Sequence, residues 1–108
     1  MNEKEFVGLK RFEYSLVNFI PDMLKNFFDG TIDEETFKQK FLYNLKSAKI
    51  NLVLMSKADI DTNKKVFRNE FIMADKINAA IVDEKLSGQK LKDKLKKFVM
   101  QYNDNNLE

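Results

Sequence analysis

The sequence has no cysteine, no histidine and no tryptophan, and it has only one proline and three glycines. Without cysteine there is no disulfide scaffold, no thiolate zinc site and no cysteine nucleophile, and the composition fits a reducing compartment. Without histidine the commonest general base is missing, and with it the usual nucleophilic triads and the Glu-x-x-His pairs of di-iron bundles. The glycines Gly8, Gly30 and Gly88 stand alone, so no Walker loop and no GxGxxG turn exists to cradle a phosphate. No apolar run approaches the ~20 residues that span a bilayer. The start of the chain, residues 1–5, carries both signs of charge with no apolar stretch behind it, unlike a secretory signal. These absences point to a cytoplasmic protein that is not an enzyme and needs no cofactor.

What is present is a helical pattern. The 108 residues include ten Phe and five Met, and a chain of this size removes roughly two-thirds of its unfolded surface on folding. In the first segment Leu9, Phe12, Leu16, Phe19, Ile20, Met23 and Phe27 recur at spacings of three and four, predicting a helix over roughly 3–28. Pro21 lacks an N–H and crowds the preceding turn, so a kink is expected near residues 17–20. Asp29-Gly30 ends the helix. Asp33 is placed as the N-cap of a second helix, with Glu34 and Glu35 in its first turn and Ile32 and Phe37 as a hydrophobic staple. Its stripe is Phe37, Phe41, Leu45, Ala48, Leu52 and Met55. The run 50–55 also suits a short strand, but a lone strand lacks a partner, and no breaker separates it from the helical pattern.

A third helix is expected over roughly 62–86 on Phe67, Phe71, Ala74, Ile77 and Ile81, and Ser87-Gly88 breaks it. A fourth follows over 89–102 on Leu91, Leu95, Phe98, Val99 and Tyr102. Short turns make sequential helices antiparallel. The expected architecture is one all-α domain over 1–102, an antiparallel bundle of about four helices. The polar residues 103–108 are expected to form a disordered tail.

Charge is unevenly spread along the chain. Residues 1–36 hold four Lys/Arg against eight Asp/Glu, residues 37–68 eight against two, residues 69–86 two against four and residues 87–108 five against three. Three constellations carry possible chemistry. Asp59, Asp61, Asn63 and Glu70, with Val66, match oxygen-ligand and core positions of a calcium-binding helix–loop–helix. However, Lys64 stands where the loop's sharp turn wants glycine, and helix capping by Asp59 or Asp61 explains most of the match. The second constellation is Lys90, Lys92, Lys94, Lys96 and Lys97 around the last helix. These lysines can track nucleic-acid phosphates or another anion, or they can form a solvated face that complements the helix dipole. The third is an excess of apolar surface on the first two helices. Phe27-Phe28 and Leu54 point apolar groups in several directions, and Tyr14, Tyr43 and Tyr102 combine a ring with a wet hydroxyl, as contact surfaces do.

Size and bundle pattern resemble those of small helical immunity, antitoxin or phage-encoded regulatory proteins. This is a likeness of architecture with no motif behind it. Together with the missing catalytic equipment it implies a non-catalytic bacterial or phage module that binds a protein partner or its own copy through Tyr14, Phe27, Phe28, Tyr43 and Leu54. The alternative is a nucleic-acid-binding protein that uses the lysine-rich face.

Overall fold

The computed structural model describes residues 19–52, 61–62, 65 and 67–106. They form four helices: α1, Phe19–Phe28; α2, Glu34–Leu52; α3, Arg68–Asn78, continued by a π-helical turn over Ala79–Asp83; and α4, Gly88–Asn103. No strand occurs among the described residues. The segment from Ile50 to Leu52 is helical. The main packing is between sequence neighbours, α1 against α2 and α3 with its π turn against α4. The result is the antiparallel four-helix bundle that the periodicity predicts.

Several helix ends have a visible chemical cause. Pro21 lies in the described part of α1, where it supplies no backbone donor. The span from residue 3 to residue 18, including most of the expected kink, lies outside the described residues. Gly30 adopts φ +83°, a left-handed conformation that stops α1. The following chain folds back, with the Ile32 N–H donating to the Asn26 carbonyl. Asp33 caps α2 as expected, its Oδ1 accepting the Thr36 N–H at 2.7 Å.

The third helix ends differently. The Glu84 N–H reaches back to the Ala79 carbonyl and the Leu86 N–H to that of Ala80. Lys85 adopts φ +51°, a conformation that disfavours a residue with a Cβ. The first turn of α4 is capped from across the bundle. Ser87 makes no side-chain cap bond. The Gly88 N–H instead donates to the Glu34 carboxylate at the start of α2.

The core holds Ile20, Met23, Leu24 and Phe27 of α1, Phe37, Phe41, Leu45 and Ala48 of α2, Met73, Ala74 and Ile77 of α3, Ala80 and Ile81 of the π turn, and Leu91, Leu95 and Phe98 of α4. Ile32, Phe67 and Phe71 pack against it, half-buried. The Phe27 and Phe37 rings stack with centroids 4.6 Å apart and planes within 8°, and Phe37 lies 6.1 Å from Phe41. Such aromatic pairs contribute about 0.5–1.5 kcal/mol beyond their burial, and they fix how α1 lies on α2.

Residues 103–106 continue from the last turn of α4. Asn103 is the last residue of α4, and Asn105 adopts φ +55°, a conformation in which asparagine is tolerated. The Asp104, Asn105 and Asn106 N–H groups all donate to carbonyls of the last turn. The Asn69 side-chain amide donates to Asn105 Oδ1 at 2.8 Å, tying residues 103–106 to the start of α3.

Candidate binding groove

Where α1, α3 and α4 meet, their stripes do not close over one another. α1 borders this gap with Ile20, Leu24 and the half-buried Phe28, and α3 and α4 border it with Met73 and Val99. Between them runs a groove of about 490 Å³ lined chiefly by Ile20, Leu24, Phe28, Met73, Val99 and Tyr102. Its volume lies in the range of ligand and anchor pockets, which are mostly apolar with a few polar groups.

The two ends of the groove differ. At one end Ile20 and Pro21 face Glu70, Tyr102 and Asn103. The Tyr102 hydroxyl donates to Glu70 Oε1 at 2.8 Å. Burial pushes the Tyr102 phenol above its ordinary value, and the Glu70 hydrogen bond and charge add to that. At the other end are Phe28, Lys25 and Asp29, with the Lys96 ammonium 5.8 Å from the Phe28 ring centroid. The Thr31 hydroxyl donates to Asp29 Oδ1, as does the Thr31 N–H at 2.9 Å. These bonds, and then Lys25, hold the Asp29 carboxyl below its ordinary value.

The lysines of α4 do not form one arc. Leu91, Leu95 and Phe98 point into the core, and the lysines flank that stripe on both sides. The Lys92 ammonium lies 5.2 Å from the Phe27 centroid and Lys96 over Phe28, on the α1 side. Lys94, with Lys76 of α3, lies over Phe98 at 5.7 and 5.6 Å. Such contacts contribute about 0.5–1 kcal/mol each when exposed, and the long stems cover apolar surface. Lys90 and Lys97 are exposed.

Glu34 is a further polar centre. Its carboxylate accepts the Gly88 N–H and pairs with Lys38 at 3.1 Å. The Gly88 N–H, then Lys38 and Lys92, hold its carboxyl below the ordinary glutamate value.

The residues singled out from the sequence fall in different places. Phe28 lines the groove, whereas Phe27 is only 2% exposed and belongs to the core. Tyr43 is 73% exposed on α2, away from the groove. Of the calcium-type residues, Asp61 is exposed and Glu70 is engaged by Tyr102. Tyr14, Leu54, Asp59 and Asn63 lie outside the described residues. Among the described residues, no three acidic side chains converge as metal ligands would, and no helix is long and apolar enough to cross a membrane.

Sequence reasoning misses Lys25 and Met73 as site residues, and it names Glu70 and Tyr102 separately without seeing that they pair. The signal for that pair is positional. Both stand at similar distances from the Ser87-Gly88 turn, and in an antiparallel helix pair such residues become neighbours.

No protein-family model, no curated protein and no solved structure matches this chain.

Proposed function

We propose that this bundle is a non-catalytic protein-binding module and that the groove between α1, α3 and α4 is its contact surface. The observation behind this reading is the groove itself, an apolar trough of about 490 Å³ continuous with the core at Ile20, Leu24 and Met73. An apolar trough between helices is the geometry in which amphipathic helices of other proteins dock. The residue chemistry agrees, because the sequence holds neither histidine nor cysteine. A module of this kind acts by occupying another protein, as small bacterial or phage regulatory and immunity-type proteins do.

The test is affinity purification from the source cells with two baits, the wild type and Val99→Lys. Val99 is half-buried on the groove wall, so the charge spoils the trough while circular dichroism checks the fold. The expected result is a protein retained by the wild type and lost with Val99→Lys. Identical captures by both baits refute the proposal.

For the nucleic-acid alternative, Lys90, Lys94 and Lys97 share one flank of α4 by their i, i+4, i+7 spacing, while Lys92 and Lys96 lie on the other. A low-salt DNA and RNA shift assay tests that alternative directly.

A further inference from the structure

The groove is electrically polar, and this bears on what occupies it. We infer that it takes one amphipathic helix of a partner protein in a fixed direction, with carboxylates in that helix's last turn beside Lys25 and Lys96. This inference rests on the protein-binding reading above and deepens it.

The length of the groove fits a short helix. It follows α1 from Ile20 to Asp29, nine residue steps or roughly 13 Å. That is two to three helical turns, room for apolar anchors at i, i+3 or i+4, and i+7. The charges at its ends are opposite in sign. Lys25 and Lys96 stand at the Phe28 end. Asp29 stands there too, and the Thr31 hydroxyl and N–H favour its ionised form, so among the described residues two ammonium groups meet one carboxylate and that end is net positive. Glu70 stands at the Ile20 end, where the Tyr102 hydroxyl leaves its negative charge in place.

A helix carries partial positive charge at its N-terminus and partial negative charge at its C-terminus. Its N-terminus is therefore favoured at Glu70 and its C-terminus at Lys25 and Lys96. Acidic side chains in the last turn add full charges to that preference. The incoming helix then runs parallel to α1 and antiparallel to α4.

The experiment uses the full chain and two synthetic, N-acetylated amphipathic peptides with the same leucine stripe. One ends in Glu-Glu and the other in Lys-Lys. Binding is followed by amide NMR shifts at Leu24, Phe28 and Val99 and by calorimetry. The Glu-ended peptide is expected to bind about tenfold more tightly at low salt, with the preference shrinking in about 0.5 M salt. The double variant Lys25→Glu/Lys96→Glu should reverse the preference, and its circular dichroism and melting check that it is folded. Equal affinity for the two peptides, or no reversal in the double variant, overturns the directional assignment while leaving a groove that binds helices. No shift at groove amides with either peptide overturns the groove reading itself.

Discussion

Removing the Glu34 carboxylate should loosen the bundle at one end, and the structure sets the scale of the loss. Glu34→Ala takes away the acceptor of the Gly88 N–H, the pair with Lys38 and the attraction to Lys92. A hydrogen bond to a charged group contributes roughly 1.5–3 kcal/mol when well buried, and an exposed i,i+4 pair about 0.3–0.5 kcal/mol. The Glu34 side chain is 32% exposed, so solvent screening reduces the first figure and the total comes to about 1.5 kcal/mol. At about 2.1 cal/mol/K per residue, the 108-residue chain has an unfolding entropy near 0.23 kcal/mol/K. The melting midpoint of Glu34→Ala should therefore fall by about 6 °C. Glu34→Gln keeps a neutral acceptor and should lose about half as much.

The pH dependence is a second, independent readout. The folded-state pKa of Glu34 lies below its ordinary value of 4.5. Its contribution is therefore complete above that value and disappears as pH falls through the lower folded value. The gap between wild type and Glu34→Gln, measured by thermal melting followed at the helical circular dichroism band, should close as pH falls below the ordinary value of 4.5 and through the lower folded one. Glu34→Ala melting within about 1 °C of wild type near neutral pH would refute the cap assignment, as would a gap that persists in acid.

Other outcomes follow from single residues. Leu95→Ala, at a fully buried position of α4, should cost about 2–5 kcal/mol, seen as a lower urea midpoint at unchanged slope. Lys85→Gly should stabilise by about 1 kcal/mol, because Lys85 holds φ +51° and glycine relieves that strain; a lower midpoint would count against it. Tyr102→Phe should lose about 1 kcal/mol with the hydrogen bond to Glu70. In an ultraviolet titration of the wild type, the Tyr102 phenol should ionise above the ordinary value of 10.0, and Tyr102→Phe should lack that late component. Because this pKa is raised in the folded state, the associated stability is complete below the ordinary value and is lost as pH rises through the folded one.

Much of the fold is legible in the sequence because it rests on local rules. The α2 stripe of Phe37, Phe41, Leu45 and Ala48, the Asp33 cap and the breaks at Gly30 and Gly88 each depend on residues a turn or two apart. What the sequence does not disclose is which part of a wide stripe each neighbour claims. Phe27 and Phe28 are adjacent and chemically identical. Only the docking of α2, through the stack of Phe27 on Phe37, sends Phe27 inward and leaves Phe28 on the groove. The lysines of α4 flank its apolar stripe by spacing alone, but only the packed fold shows which ring each flank covers, Phe27 and Phe28 on one side and Phe98 on the other. Glu70 looks like a closing calcium ligand until Tyr102, a distant residue, arrives beside it. The asparagines after Tyr102 read as a polar tail, and no local pattern records that Asn69 meets Asn105 there.

The link between Glu34 and Gly88 also bears on how the chain folds. Most packing joins helices adjacent in sequence, so loop-closure entropy is small and each helix pair can form on its own. Glu34 and Gly88 belong to different pairs, and their bond needs both pairs in place. Such a contact is expected to form late, with a φ-value near zero. Weakening it should speed unfolding while leaving the folding rate nearly unchanged, which would make one carboxylate at the end of the bundle a control on how long the native state persists.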